Sequence, residues 1–397
     1  MVKQLSENVV LVTGPKCSAI YNFADGKVYS INEQGTQIIT KYASSLILSG
    51  KEREFIYQVL QMVKIPTIDV QEYEFPKRLN KQLSFAWLEL TQCCTSRCIH
   101  CYEGNEHCEV KNPLTFDEWK KVISDLSLMG CKNIQFIGGE PSLYKKLPLL
   151  IDYATSKGIS NISIFTNLYI MSDYLFSAIT RNNVSVHFSI YGSTVDTHDA
   201  ITQVSGSFNN MIDNVKKMLE HNIKVTAHVV LMKENEHDRE AIYQLLSKLG
   251  ITLVRYDEIR KVLGGCQDKH LVKNSKLLIT KPNFSADAKW FNNAYHHNTC
   301  WYGKCVISTD GSVYPCEFEH NILYGNIRDK SIVDIITSDS VDKYWYWDFS
   351  KVETCSECEY RFACKDCRPL AFAENGNMAE KNPRCKYNPY LGLWNSN

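Results

Sequence analysis

The chain has 397 residues, a length that points to two or three domains rather than one small one. With 44% hydrophobic and 22% charged residues it has ordinary globular composition, so real cores can form. Lys+Arg and Asp+Glu both count 44, so no basic excess marks it as a nucleic-acid binder.

The start of the chain carries only a short apolar stretch, 9–12, with no basic region before it, and so does not read as a secretory signal. No run approaches the length needed to span a bilayer. The expectation is a protein of the reducing cytoplasm, where thiols stay free. Against that background 16 cysteines is a large number, and eight of them fall between Cys300 and Cys385. Clustered cysteines at short spacings in such a compartment point to metal or iron–sulfur ligation.

Residues 1–80 form a first region of α+β character. Short β-like runs at 18–23 and 28–31 are joined through Asp25–Gly26, a favoured tight-turn pair, and helices are predicted over 36–48 and 51–63. Residues 82–265 alternate strand and helix. Strands are predicted at 85–90, 133–137, 161–165, 184–190, 224–231 and 252–256, with helices at 115–129, 143–157, 173–181, 208–221 and 236–249. Thr115 with Glu118 reads as a capping box, and Gly158 and Gly250 follow their helices. Repeated βα units imply a parallel sheet covered by helices, here a partial (β/α)6 TIM-like barrel with its site on the loops after the strands. Residues 266–297 bridge to a cysteine-rich region at 298–390.

Cys94, Cys98 and Cys101 form Cys-x3-Cys-x2-Cys directly after the first predicted barrel strand. Three thiolates hold three corners of a four-iron cluster and leave the fourth iron open, whereas a structural zinc site needs four closed ligands. After the second strand comes Gly138-Gly139-Glu140-Pro141, whose glycines allow close backbone approach. Thr166-Asn167 ends the third strand and Ser189 the fourth.

These motifs, in this order, resemble the radical S-adenosylmethionine (radical SAM) superfamily across 82–265. The resemblance implies that Cys94, Cys98 and Cys101 carry a [4Fe-4S] cluster whose open iron chelates SAM. It implies that His100 packs near the adenine and that Gly138, Gly139, Glu140 and Pro141 contact the SAM amino group. It sets Thr166, Asn167 and Ser189 among the SAM-contacting strand ends, with Leu168 standing where relatives often show glycine. The activity implied is generation of a 5′-deoxyadenosyl radical that abstracts hydrogen from an unactivated C–H bond, with an external electron donor such as flavodoxin or ferredoxin.

The C-terminal cysteines run Cys300-x4-Cys305-x10-Cys316, then Cys355-x2-Cys358-x5-Cys364-x2-Cys367, then Cys385, with Gly311 five residues before Cys316. A pair of zinc ribbons and two iron–sulfur clusters are the open readings of such spacing. The pattern resembles the SPASM domain of radical SAM enzymes, with Cys364-x2-Cys367 one residue shorter than the usual spacing. By that resemblance Cys300, Cys305, Cys316 and Cys367 hold one auxiliary [4Fe-4S] cluster, and Cys355, Cys358, Cys364 and Cys385 hold an outer one, making three clusters in all. Glu317 and Cys108 are the candidate catalytic residues, Glu317 as a base and Cys108 as a thiol hydrogen donor.

SPASM-type enzymes mostly modify peptides or proteins, and residues 24–33 resemble small domains that bind a leader peptide by strand addition. Ser189-Ile-Tyr-Gly, His198-Asp199 and Gly206-Ser-Phe208 are similar to maturases of grasp-with-spasm systems, which implies an ATP-grasp ligase in the same pathway. The expected function is maturation of a ribosomally made precursor peptide through a thioether or carbon–carbon crosslink. The alternatives are a peptide epimerase, a radical SAM enzyme acting on a small molecule or cofactor precursor, and a non-enzymatic zinc-binding protein.

Overall fold

The computed structural model describes residues 1–78, 81–102, 110–261, 268–273, 275, 277, 279 and 284–394. The chain folds as two compact units, residues 1–79 with 278–302 and 344–397, and residues 80–277 with 303–343.

The first unit opens with strands β1 (Val2–Ser6), β2 (Val9–Thr13), β3 (Ser18–Asn22) and β4 (Lys27–Ile31), then helices α1 (Glu33–Ala43) and α2 (Gly50–Val63) and the short strand β5 (Gln71–Glu72). The sheet is antiparallel in the order β4-β3-β2-β1-β5. The predicted Asp25–Gly26 turn joins β3 to β4, with Gly26 at φ 72°, a conformation glycine adopts without a Cβ penalty. Asn32 caps α1 by accepting from the Gly35 N–H at 2.8 Å, so that helix starts three residues earlier than hydrophobic spacing alone indicates. A Ser49–Glu52 capping box starts α2.

Both faces of this sheet are buried. Val9, Leu11 and Ile20 pack with Ile38, Ile39, Ile56 and Val59 of α1 and α2. The alternate residues Val10, Val12, Ala19 and Tyr21 pack with Phe291, Tyr360, Phe362 and Tyr387, and the cysteines Cys358 and Cys385 lie against that second core. The Tyr21 hydroxyl donates to the Glu359 carbonyl at 2.9 Å. A helix over Ala288–His296, another over Arg368–Asn375 and a terminal strand pair, Tyr387–Asn388 with Leu393–Trp394, complete the unit.

The second unit is the barrel. Its strands β6 (Phe85–Glu89), β7 (Asn133–Ile137), β8 (Asn161–Thr166), β9 (Ser185–Ile190), β10 (Val225–Leu231) and β11 (Val254–Glu258) pair in parallel in sequence order. Helices α3 (Phe116–Leu128), α4 (Leu147–Ser156), α5 (Asp173–Arg181), α6 (Val195–Thr202), α7 (Ser207–Glu220) and α8 (Arg239–Lys248) connect them. The sheet does not end at β6. A hairpin of β12 (Lys304–Ile307) and β13 (Ser312–Tyr314), with β14 (Gly325–Asn326), extends it, β12 lying parallel to β6. Residues that read as the start of the cysteine-rich region therefore belong to the barrel sheet.

Strand alternation separates two faces. Ala86, Leu88, Ile134, Phe136, Ile162, Ile164, Val186 and Phe188 are at most 5% exposed, as suits the face that helices cover. The opposite, inner face is polar and aromatic: Trp87, Gln135, Ser163, Phe165, His187, Ser189 and His228. His187 Nδ1 and His228 Nε2 lie 2.9 Å apart, with the Phe165 ring 4.7 Å from that of His228.

Burial first, and cationic neighbours second, push both imidazoles down to about 4. In the unfolded chain they take up protons near pH 6.5, so stability is lost as pH falls from about 6.5 toward 4, by at most ~1.4 kcal/mol per pH unit per imidazole. The melting temperature is expected to drop across that window, and a His187→Gln/His228→Gln variant to show a shallower drop. Equal slopes in the two proteins would count against the assignment.

Among the described residues no helix is long and apolar enough to cross a membrane.

Candidate active site

The loop after β6 carries Cys94, Cys98 and Cys101, and their thiols lie close enough to raise one another's pKa. Burial is the larger cause, and it holds the Cys94 thiol up at about 11. Crowded thiols that resist ionisation, as those of Cys94 and Cys98 do, are stable as thiolates only beside cationic charge, which bound iron would supply. Helix α6, not anticipated from the sequence, backs this loop. The Arg97 N–H donates to the Thr202 carbonyl at 2.9 Å and the Ile99 N–H to the Ile201 carbonyl at 3.0 Å. Cys98 and Ile99 pack on Tyr191, Ile201, Met232 and Ile259. His198-Asp199 and Gly206-Ser-Phe208 meet here as a cap, the Asp199 carboxylate accepting from Gly206 N at 2.6 Å, Ser207 Oγ at 2.7 Å and Phe208 N at 2.9 Å.

The Gly138–Pro141 segment docks on the cysteine loop. Gly139 N donates to the Thr91 carbonyl at 2.7 Å and Glu140 N to the Cys93 carbonyl at 2.8 Å. A Cβ on Gly138 would stand 2.2 Å from Thr91 O, and one on Gly139 would stand 2.3 Å from Cys93 O. Both glycines are therefore demanded by backbone–backbone approach. Pro141 starts a 3-10 turn, Pro141–Leu143.

The Glu140 carboxylate anchors this segment to the end of the third barrel strand. It is fully buried and accepts from Ser142 N at 2.9 Å, Thr166 Oγ1 at 2.8 Å and Asn167 N at 2.8 Å. Asn167 in turn sends Nδ2 to Thr95 Oγ1 at 2.8 Å and Ser96 Oγ at 3.1 Å, with Cys94 Sγ at 3.7 Å. Thr166 and Asn167 thus join the third strand end to the cysteine loop. Desolvation raises the Glu140 carboxyl, and its donors oppose the rise.

His100 lies edge-on to Tyr191, ring centroids 4.7 Å apart. Its Nδ1 is buried and has no hydrogen-bond partner in the protein, and burial lowers the imidazole to about 4, so the ring is neutral. Ser189, 8% exposed, hydrogen-bonds the Tyr191 side chain. An unmet buried nitrogen beside three thiols, in a loop that glycines hold tightly, fits a bound SAM and its cluster.

Glu317 lies in the loop after β13, close enough to Arg260, Glu89 and Lys304 for their charges to act on it. Burial pushes its carboxyl up to about 7, and Oε2 is buried without a hydrogen-bond partner. Arg260 sits 4.7 Å over the Phe318 ring, and Tyr102 is 5.2 Å from Phe318. Glu89, at the end of β6, faces His320 Nε2 at 3.5 Å, and Tyr314 stacks on that imidazole at 4.7 Å. Glu89 and His320 were not singled out from the sequence; a carboxylate closing the strand that precedes the cysteine motif was the available signal. Cys108 lies outside the described residues.

In the first unit Cys355, Cys358, Cys364 and Cys385 come together, each raised by burial first and then by neighbouring negative groups that include other members of the set, or Asp366 beside it. Arg368, 1% exposed, bonds Asp366 and the Met378 and Glu380 carbonyls, and its charge reaches Cys355 and Cys300. A buried cation beside four thiols suits an anionic cluster. Cys300 and Cys367 lie in this unit, and Cys305 and Cys316 in the barrel unit. Among the described residues no three His, Cys, Asp or Glu side chains converge on a point where one ion could sit. A cubane takes one thiolate at each corner and needs no such convergence.

Residues 88–246 match the radical SAM superfamily, and residues 300–359 match the SPASM iron–sulfur cluster-binding domain. The chain is 25% identical to an Fe-coproporphyrin III synthase of Methanosarcina barkeri over 75% of its length and 86% of that protein. It is 23% identical to a PqqA peptide cyclase of Bradyrhizobium diazoefficiens over 76% of its length and 86% of that one. Its fold is similar to SuiB of Streptococcus suis, solved bound to the precursor peptide SuiA, with a TM-score of 0.61 and 13% identity over 97% of this chain and 100% of that one.

The chain is a radical SAM enzyme. More narrowly, it carries a SPASM domain and resembles the SPASM-domain maturases of ribosomal peptides.

Proposed function

We propose that the protein matures a ribosomally made precursor peptide by radical chemistry at the mouth of the barrel, forming a thioether or carbon–carbon crosslink. Bound SAM, with three [4Fe-4S] clusters, supplies hydrogen-abstracting power and an outlet for the electron released as product forms. Cys94, Cys98 and Cys101 hold the SAM cluster, and the Glu140–Asn167 network keeps their loop in place. Cys355, Cys358, Cys364 and Cys385 hold the outer auxiliary cluster. His100, the Gly138–Gly139 backbone and Ser189 line the SAM position. Glu317, with its unpaired buried oxygen, takes the proton that the maturing residue gives up. An external reductant and an ATP-grasp ligase in the same pathway complete the proposal.

The observation that carries the peptide reading is the first unit's edge strand. β4 is the edge strand of its sheet, met on its outer side among the described residues by one isolated bridge from Ser285 to Lys27 at its start, and beside its end a cavity of about 280 Å³ is lined by Ser30, Ile31, Asn32, Phe55, Gln58, Val59 and Met62. An extended leader peptide adds there as a further strand, its side chains seated against α2. A Met62→Glu substitution is expected to weaken binding of a candidate precursor peptide by about tenfold, without lowering peptide-independent SAM cleavage. Mass spectrometry of that peptide after turnover should show the loss of two hydrogens.

A second reading is favoured by the haem-type relatives: a substrate of porphyrin class. Coproporphyrin-dependent SAM consumption with no response to peptide would select it over the first.

A further inference from the structure

We infer that the cavity on the barrel rim beside the cysteine loop is the docking face of an acidic one-electron carrier protein, which delivers the electron that starts each turnover. The inference rests on the external reductant proposed above and says where that reductant binds.

The cavity, of about 610 Å³, lies wholly within the barrel unit. Thr91 and Gln92 form one wall, just past β6, and Cys93 alone separates them from Cys94. Lys111 and Leu114, before α3, form the second wall, and Leu143 and Tyr144, at the end of the Pro141 turn, form the third. Thr309 closes the fourth side from the β12–β13 turn. Leu114 N donates to its carbonyl at 2.7 Å, and its Oγ1 donates to the Glu89 carbonyl at 2.8 Å.

The run of backbone that walls this cavity also carries the first cluster thiol. Thr91 Oγ1 accepts from Cys93 N at 3.1 Å, so the wall and the cysteine loop are braced together. Electron transfer through protein slows steeply with distance, which favours a donor seated against this run. Two other sides of the loop are taken. Helix α6 backs one through the Arg97 and Ile99 N–H groups, and SAM is proposed for another at His100 and Ser189.

Charge supplies the second argument. Lys111 is exposed, and so are Lys145 and Lys146, which directly follow Tyr144. Lys146 Nζ reaches to 5.1 Å from the Phe116 ring, two residues past Leu114, so cations stand on facing walls. The carboxylates on the same segments are paired or buried. Arg328 Nε donates to Glu118 at 2.7 Å, and the Ser312 N–H donates to Asp310 at 2.9 Å. Asp117 lies 3.5 Å from Lys120, and Glu89 and Glu140 are buried. Among the described residues the mouth is therefore cationic, over a floor of Leu90 and Leu114. An apolar seat ringed by lysines complements a carrier whose redox centre emerges among acidic residues. The contact is small, as suits a partner that must leave after each electron.

Each encounter passes one electron. The carrier is oxidised by one electron, and that electron breaks the C–S bond of SAM to give methionine and the 5′-deoxyadenosyl radical. The radical becomes 5′-deoxyadenosine on taking a hydrogen atom.

The test uses the full chain, iron-loaded and anaerobic, with reduced flavodoxin as the probe. Affinity is measured at about 20 mM and about 300 mM salt, since screening separates charge-driven from apolar contact. A Lys111→Glu/Lys145→Glu variant is expected to bind flavodoxin at least about tenfold more weakly at the lower salt, with a flatter salt dependence. Its 5′-deoxyadenosine release should fall in step when flavodoxin supplies the electron. With dithionite, a small reductant that needs no docking face, release should stay at the native level. Lys248→Glu, at the exposed end of α8, is the control and should leave binding and release unchanged. Native affinity in the double variant, equal weakening by Lys248→Glu, or no binding of flavodoxin to the native chain overturns the inference. Failure of the native chain to release 5′-deoxyadenosine with dithionite would instead count against the cluster assignment, and the binding comparison would still decide the docking face.

Discussion

A Gly139→Ala enzyme is expected to lose 5′-deoxyadenosine formation by at least about a hundredfold, the order seen when reacting groups are misplaced by about 1 Å. The added methyl would sit 2.3 Å from the Cys93 carbonyl oxygen and 2.5 Å from that of Gln92. Neither obstacle is the end of a flexible side chain. The Cys93 carbonyl is also the acceptor for Glu140 N, so the clash falls on the hydrogen bond that docks the two loops. The cheapest relief is a shift of residues 91–94, which carries Cys94 out of register with Cys98 and Cys101. The readouts are iron content, expected to fall by about a third of roughly twelve, and 5′-deoxyadenosine after anaerobic reduction. The outer cluster should be untouched. Full iron with wild-type turnover would show that the loop tolerates the displacement.

The second large effect concerns the N-terminal sheet. Deleting residues 1–76 is expected to remove iron from the outer auxiliary cluster, not merely to abolish peptide binding. Val10, Val12, Ala19 and Tyr21 form one wall of the core against which Cys358 and Cys385 lie. Truncating an aromatic in such a core costs about 3–5 kcal/mol, and the deletion removes the whole wall. The Ser30 hydroxyl also lies 2.6 Å from that of Tyr360, two residues past Cys358. A Tyr21→Ala variant, which keeps the β4 edge, should show the same direction of change in milder form: lower cluster occupancy and a lower melting temperature. A truncated protein with undiminished iron would mean that the sheet is an accessory and the cysteine loop folds without it.

These two cases also mark what the sequence alone could disclose. Six parallel strands were legible because β-rich runs recur between capped helices. The Cys94–Cys101 spacing was legible because its three thiols sit within one loop. The Glu140 clamp was not, because its donors come from Ser142, Thr166 and Asn167, and tertiary packing alone brings Thr166 and Asn167 to it. Strands β1 and β2 and helix α6 escaped because short segments carry little periodic signal. The extension of the barrel sheet by residues 304–326 was hidden by the cysteines within it. The pairing of Cys305 with Ala86 of β6, more than 200 residues away, is encoded by no local spacing.

We propose that the N-terminal sheet serves two purposes. Its α1–α2 face and β4 edge are proposed for peptide capture, while its opposite face supports the cysteine loop. Changes at the two faces should therefore separate: Met62→Glu acts on peptide affinity, and Tyr21→Ala acts on iron.

The most direct measurement is 5′-deoxyadenosine released from SAM by the anaerobically reduced protein, compared between the native chain and its Cys94→Ala/Cys98→Ala/Cys101→Ala form. The account predicts release by the native protein and none by the variant, with the auxiliary iron retained. Undiminished release from the variant would contradict the assignment of those three thiols and the chemistry built on them.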